Sequence, residues 1–92
     1  MASEGTFEVV LDQRFTEDLR YWIANHPKTA RRVFALAEAA MIDPARGIGK
    51  PEPVARGFIG VWSRRIDREH RLVCQVTGQR IYFLQARYHY ES

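Results

Sequence analysis

The stretch KPEPVARGFIGVWSRRIDREHR, residues 50–71, decides how the chain is read. Pro51 and Pro53 bracket Glu52. Proline fixes its own φ and pushes the residue before it toward extended backbone, so the Glu52 carboxylate is aimed rather than carried on a slack loop. Further along, Val61–Ile66 and His70–Thr77 read as two strands around the turn Asp67-Arg68-Glu69. That loop sets Ile66 opposite His70 and Arg65 opposite Arg71. Like charges directly opposed on one sheet face cost roughly 0.2–1 kcal/mol, a repulsion that a purely structural sheet avoids. Two guanidiniums converging on one phosphate explain the arrangement. The residues alone leave a second reading open, in which both arginines turn to water and pair with Asp67 or Glu69. Glu52 likewise reads either as an aimed acid or as a solvated one.

Outward from this hairpin the pattern divides. Val54–Phe58 and Arg80–Ala86 read as further strands, and short turns between sequential strands predict an antiparallel meander. Before residue 50, Gly47-Ile48-Gly49-Lys50 is a connector. It is not a phosphate loop, because the Gly-x4-Gly-Lys-Ser/Thr spacing and a preceding strand are missing. Phe15, Leu19, Trp22 and Ile23 share a helical face, with Asp12 or Thr16 as cap and Glu17 and Asp18 suited to the positive helix end. Asn25-His26-Pro27 breaks this helix, and Pro27 opens a second. There Ala30, Val33, Phe34, Ala37, Ala40 and Met41 form an apolar stripe, with Arg31, Arg32 and Glu38 outside. The second helix stops before Asp43-Pro44. Phe7–Leu11 is a leading strand, and residues 1–6 are expected to fray. The whole chain, 1–92, reads as one α+β domain: two N-terminal helices packed on one face of a four- to five-stranded, mostly antiparallel sheet. The other face stays partly open, and function is expected there.

Composition narrows the chemistry. Hydrophobic residues make up 46% and aromatics 12% of 92 residues, which are globular values. No apolar run approaches a membrane span and no signal-peptide plan opens the chain, so the reading is cytoplasmic. Residues 1–45 carry five basic and seven acidic side chains, net −2; residues 46–92 carry nine and four, net +5. Arginine dominates the bases, which favours bidentate contact with phosphate and stacking on nucleobases. Cys74, the single cysteine, sits in an apolar alternation and reads as a core thiol, so no disulfide and no cysteine metal site is expected. At the C-terminus, Arg87-Tyr88-His89-Tyr90 adds a proton-exchanging histidine and a tyrosine able to stack or donate. A frayed aromatic end is the alternative there. His70 reads as a structural residue of the hairpin, His26 as a cap or surface residue, and Trp62 as packing.

Taken together, Gly-x-Gly-Lys-Pro-Glu-Pro (47–53), Gly-x-Trp-Ser-Arg-Arg-Ile (60–66), Glu-His-Arg-Leu-Val (69–73) and Arg-Tyr-His-Tyr (87–90) resemble the signature of the YoeB (Txe) toxins of the RelE-like superfamily. The resemblance runs from about Phe7 to Tyr90. It implies a RelE-like, microbial-ribonuclease-type α+β sheet and a ribosome-dependent endoribonuclease that cleaves mRNA in the A site. It also implies neutralisation by a YefM-like antitoxin, with a homodimer compatible with an exposed sheet edge. Partners are then the antitoxin, the 70S ribosome and mRNA, without a membrane, a cofactor or a metal. By this resemblance Glu52 matches the general base, Arg71 the phosphate-stabilising arginine, Arg65 a second basic contact, His89 the general acid and Tyr90 the residue positioning the nucleotide. Lys50, Arg64 and Arg87 are expected RNA contacts. The chain departs from the pattern in carrying Glu91-Ser92 after the tyrosine, and in Phe15 where the family often has tryptophan.

Two other readings use the same residues differently. A basic sheet that occupies the ribosome or RNA without cutting needs the arginines but neither Glu52 nor His89. A protein-interaction domain would use the arginine groove only to receive an acidic partner segment.

Overall fold

Strand β1 (Glu8–Leu11) hands over to helix α1 (Gln13–Asn25) at Asp12 in the computed structural model of the chain, which describes residues 7–54 and 59–88. Asp12 is extended and its carboxylate accepts from the Arg14 amide at 2.9 Å, so it supplies the cap expected of it. Helix α1 ends at His26 because Pro27 disfavours helical backbone in the residue before it. Pro27 then opens α2 (Pro27–Ile42), where its missing N–H is not needed. Asp43, ahead of Pro44, is again extended and closes α2.

The buried face of α2 is set by Ala30, Val33, Leu36 and Ala40. This corrects the expected stripe at Phe34, which is 51% exposed, while Leu36 is fully buried. The sheet-facing row steps 30, 33, 36, 40, and Phe34 lies about 100° to one side of Val33 on the helical wheel. Phe34 instead lines a shallow apolar groove with Val9, Leu11, Phe15 and Met41. Ile23 of α1 is likewise half exposed.

Strands β2 (Glu52–Pro53), β3 (Val61–Arg65), β4 (Arg71–Thr77) and β5 (Arg80–Gln85) follow, and the five-stranded sheet has the order β1-β5-β4-β3-β2. The last four strands form the expected antiparallel meander. β1 joins parallel to β5, a pairing that the helical hairpin makes reachable as a long crossover. The strand expected at Val54–Phe58 is displaced. Pairing with β3 begins at Glu52, Val54 N donates to Val61 O at 2.9 Å, and residues 55–58 lie outside the described residues. Expected fraying at residues 1–6 also falls outside them.

Both helices lie on the sheet face that carries Leu72, Cys74, Ile81 and Phe83. Fully burying an aliphatic or aromatic side chain stabilises by roughly 1.5–3 kcal/mol, so this layer, and not helix propensity, holds the helices in place. The rings of Phe15 and Phe83 meet at 5.5 Å.

Polar side chains fasten the edges of this layer. Asp18, expected to favour the helix dipole, is buried in the second turn of α1 and accepts from Ala86 N at 2.9 Å. Trp22 Nε1 donates to Ala86 O at 2.7 Å, so both main-chain groups of Ala86 are held by α1. Arg32, expected on the solvated side of α2, donates to Ile66 O at 2.8 Å and to Arg65 O at 3.0 Å. It ties α2 to the β3–β4 turn.

Cys74 is buried, as its alternation predicted. Burial pushes its thiol from 9.0 up to about 11, against the opposing pull of the Arg64 charge. The folded chain therefore keeps this proton in a range where the unfolded chain releases it. The associated stability is whole below about pH 9 and is lost as pH rises toward about 11. In urea titrations between pH 8 and pH 10.5 we expect the chain to lose about 2 kcal/mol more stability than its Cys74→Val variant. Equal losses in the two would show that the buried thiol does not govern alkaline stability.

Candidate functional site

Strand register places the charged residues. Glu52 lies opposite Ser63 across β2–β3, and Arg65 lies opposite Arg71 across β3–β4, the pairing read from the loop length. Side chains alternate along a strand, so Ser63 and Arg65 share one face of β3 while Trp62 and Arg64 share the other. Glu52, Arg65 and Arg71 therefore stand together on the face turned away from the helices. Glu52 and Arg65 are exposed and Arg71 is half-buried.

Arg71 is oriented by the turn it follows. Its Nη1 donates to Asp67 O at 2.9 Å and to His70 O at 3.1 Å. The Asp67 carboxylate is already occupied, accepting from Glu69 N and His70 N at 2.8 Å each, and so closes the turn. The arginines do not pair with Asp67 or Glu69. Among the described residues the ion pairs are Arg14–Asp18 and Arg80–Glu8, which leaves Glu52, Arg65 and Arg71 without a compensating partner. This face thus offers one carboxylate and two guanidiniums, the complement of a group that gains negative charge beside a hydroxyl losing its proton.

Arg64 sits elsewhere than expected. It is 1% exposed, on the helix side of β3, and its guanidinium is committed to main-chain oxygens. Nη1 donates to Ile48 O at 2.9 Å, and Nη2 to Asp43 O and Arg46 O at 2.6 Å each. Burial lowers its pKa from the ordinary value, with Cys74 and Asp43 opposing. It presents nothing to an external phosphate. Instead it gathers the connector 43–48 around itself, and Arg65 N donates to Gly49 O at 2.7 Å to fix the connector's end. Gly49 has φ +88°, and a Cβ there would lie 2.6 Å from Leu36 Cδ2 and 3.1 Å from Arg64 Cβ, so glycine is required on both counts. Lys50 follows at φ +51°, exposed at the lip of the face that carries Glu52.

Arg87 is also drawn away from the open face. Its guanidinium lies 3.7 Å from the centre of the Tyr21 ring, and Nη2 donates to Tyr88 Oη at 3.0 Å. His70 is the hairpin residue it was expected to be: its ring packs edge-on against Trp22 at 4.9 Å, and its Nδ1 accepts from Tyr88 N at 2.7 Å. His26 sits exposed at the helix junction without capping through its side chain, and Trp62 packs partly buried against the core. His89, Tyr90 and Glu91-Ser92 lie outside the described residues. Sequence reasoning missed the clamping roles of Arg64, Asp18 and Arg32. For Arg64 a signal was available, because strand alternation puts it in phase with Trp62 and Ile66 and not with Arg65.

Two helices on one face of a five-stranded mixed sheet, with an acid and paired arginines on the other, make up the fold shared with solved RelE-like toxins of the YoeB type. A family model described as the YoeB-like toxin of bacterial type II toxin–antitoxin systems matches residues 11–90. Toxin YoeB of Mycobacterium bovis is 50% identical over 74 residues, covering 80% of this chain and 87% of that protein. Among solved structures, the YoeB dimer from Staphylococcus aureus superposes with a TM-score of 0.82 at 32% identity, covering 91% of this chain and 98% of the other. The heterotetrameric YoeB–YefM toxin–antitoxin complex from Staphylococcus aureus contains a chain that superposes with a TM-score of 0.79 at 32% identity, with the same coverage. The chain belongs to the YoeB-like toxin family.

Arg64→Lys tests the connector clamp. A single ammonium cannot span three carbonyls presented to a planar fork, and unpaired buried carbonyls are costly. We expect a loss of roughly 2–4 kcal/mol in urea unfolding. A loss under about 0.5 kcal/mol, the usual range of an ordinary surface substitution, would show that the clamp does not hold the connector.

Proposed function

We propose that this chain is a ribosome-dependent endoribonuclease that cuts mRNA in the A site by metal-free acid–base chemistry. The observation that carries the reading is the placement of Glu52, Arg65 and Arg71 on the sheet face turned away from the helices, with no ion-pair partner among the described residues. In this reading Glu52 takes the proton of the RNA 2′-OH, and that oxygen attacks the adjacent phosphorus. Arg71, with Arg65 beside it, stabilises the charge that grows on the phosphoryl oxygens. The P–O5′ bond breaks, and the imidazolium of His89 gives its proton to the departing 5′ oxygen. The products are a 2′,3′-cyclic phosphate and a 5′-hydroxyl. Tyr90 holds the nucleotide and Lys50 meets backbone phosphate. Arg64 and Arg87 are left out of the RNA contacts, since both are engaged within the protein. DNA, lacking the 2′-OH, is not a substrate.

Growth control then depends on a partner. A YefM-like antitoxin is the expected neutraliser, because a relative of the same family and fold is known in complex with YefM. A homodimer fits the relative described as a dimer. The site of action is the cytoplasmic ribosome.

Primer extension on 70S ribosomes programmed with a short message tests the chemistry. The chain is expected to produce a new 5′ end in the A-site codon. Glu52→Ala and His89→Ala should each lower the cleavage rate by about 10²–10⁴-fold. Arg71→Ala should lower it by about 10²–10³-fold. Intact message under blocked translation would replace the nuclease with a binding module.

A further inference from the structure

We propose that Arg32 is a positioning residue for the paired guanidiniums of Arg65 and Arg71, holding the main chain of Arg65 from the helix side. The inference rests on the nuclease reading above and adds to it a residue that does not touch substrate.

Arg65 and Arg71 face each other at the last rung of the β3–β4 ladder. Ile66 N donates to His70 O at 2.9 Å, so the adjoining pair Ile66–His70 is the hydrogen-bonded one and Arg65–Arg71 is not. Side chains stand closest in pairs of this kind, with Cα atoms about 4.5 Å apart. The main-chain groups of Arg65 then point away from β4, toward the outer edge of β3. Strand β2 spans only Glu52–Pro53, opposite Ser63 and Trp62, and stops short of Arg65. Irregular chain and one side chain meet that edge instead. Arg65 N donates to Gly49 O at 2.7 Å, and Arg32 Nη2 donates to Arg65 O at 3.0 Å.

Arg32 holds more than one atom. Its Nε donates to Ile66 O at 2.8 Å, so one guanidinium spans two consecutive carbonyls. Successive residues of a regular strand turn their main-chain groups to alternate sides. A single fork that reaches both carbonyls therefore marks the place where β3 leaves the sheet. Its consequence is electrostatic. Like charges on facing strands repel, and rotation of the Arg65–Ile66 peptide would relieve them by swinging the Arg65 side chain off the face it shares with Glu52 and Arg71. Capture of both carbonyls opposes that rotation. From Gly49, held to the same residue, the chain runs through Lys50 and Pro51 to Glu52. The acid and both arginines are thus referred to one fixed peptide, and Arg32 fixes it.

Three variants separate positioning from charge and from stability. Arg32→Met keeps the stem and removes every donor. Arg32→Lys keeps the charge but loses the planar fork. Asp12→Ala removes the α1 cap at the β1 edge, with β5 and β4 between it and β3, and so destabilises the chain without touching Arg65. Cleavage of programmed 70S ribosomes is measured where all three are folded. Arg32→Met should lower kcat by roughly 10–100-fold, the effect of a misplacement of up to about 1 Å. Arg32→Lys, able to meet one carbonyl, should fall between Arg32→Met and the unsubstituted chain, with KM little changed because its charge remains. Asp12→Ala should keep the original kcat. Exchange of the Arg65 amide, which needs no RNA, should accelerate about tenfold or more in Arg32→Met and little in Asp12→Ala. An unchanged kcat in Arg32→Met, or losses that follow melting temperature in all three, overturns the positioning role and leaves the nuclease reading intact. A raised KM at unaltered kcat, undone by lysine, makes Arg32 an RNA contact and overturns it as well. If the unsubstituted chain cuts no message, the nuclease reading falls and the positioning role falls with it. The exchange measurement would then report only whether Arg32 holds the β3 edge.

Discussion

The buried guanidinium of Arg64 is the constraint on which this small domain depends. Taking an arginine charge out of water is unfavourable by several kcal/mol unless its donors are met. Here three main-chain oxygens of the connector meet them, from Asp43, Arg46 and Ile48. Nε remains without a partner among the described residues, so compensation is incomplete. Any opening of the connector would strand a charge inside the protein, which gives the connector a strong reason to stay wound about it. The left-handed turns at Gly47 and Gly49 follow from that winding. So does the delivery of Lys50 and Glu52 to the edge of β3. A residue on the helix side of the sheet thereby governs how charges are displayed on the other side.

Neighbouring segments are held by the same device with different chemistry. Asp18 and Trp22 reach out of α1 to hold Ala86, while Arg32 reaches out of α2 to hold the carbonyls of Arg65 and Ile66. Hydrogen bonds of this kind add about 1–3 kcal/mol each, no more than one well-buried leucine. Their contribution is directional: hydrophobic burial seats the helices on the sheet without fixing where loose ends go. Polar side chains from the helices thus fix the segments at the strand ends beside the proposed site.

Much of this was legible in the sequence because local rules and tertiary structure agree. Asp12 caps, Pro27 starts a helix, and the three-residue turn at 67–69 sets Arg65 against Arg71, each by a mechanism that acts over a few residues. The parallel placement of β1 beside β5 was not legible, since strand order depends on how the helical hairpin packs, which no local pattern encodes. Phe34 was misassigned because a helix with apolar residues on more than a third of its circumference has no unique buried stripe. Leu36 takes the core position and Phe34 is half exposed. Arg64 was misread because a charged residue beside another charged residue looks exposed until alternation is applied to both. Of the proposed catalytic set, Glu52, Arg65 and Arg71 are placed in the fold, and His89 and Tyr90 rest on the sequence resemblance.

The opposed arginines Arg65 and Arg71 make sense once these supports are considered together. Left to themselves, two guanidiniums on neighbouring strands would splay apart and loosen the hairpin end. Both are restrained through the backbone: Arg65 O by Arg32 and Arg65 N by Gly49, Arg71 N by Tyr88 and the Arg71 head by the carbonyls of its own turn. Repulsion of roughly 0.2–1 kcal/mol is small against that many fixed hydrogen bonds, so the fold tolerates it. An arriving phosphate would relieve the repulsion at the moment it is bound, and more so as its oxygens gain charge. The repulsion expected between Arg65 and Arg71 from their register thus acts in the same direction as the chemistry proposed for them.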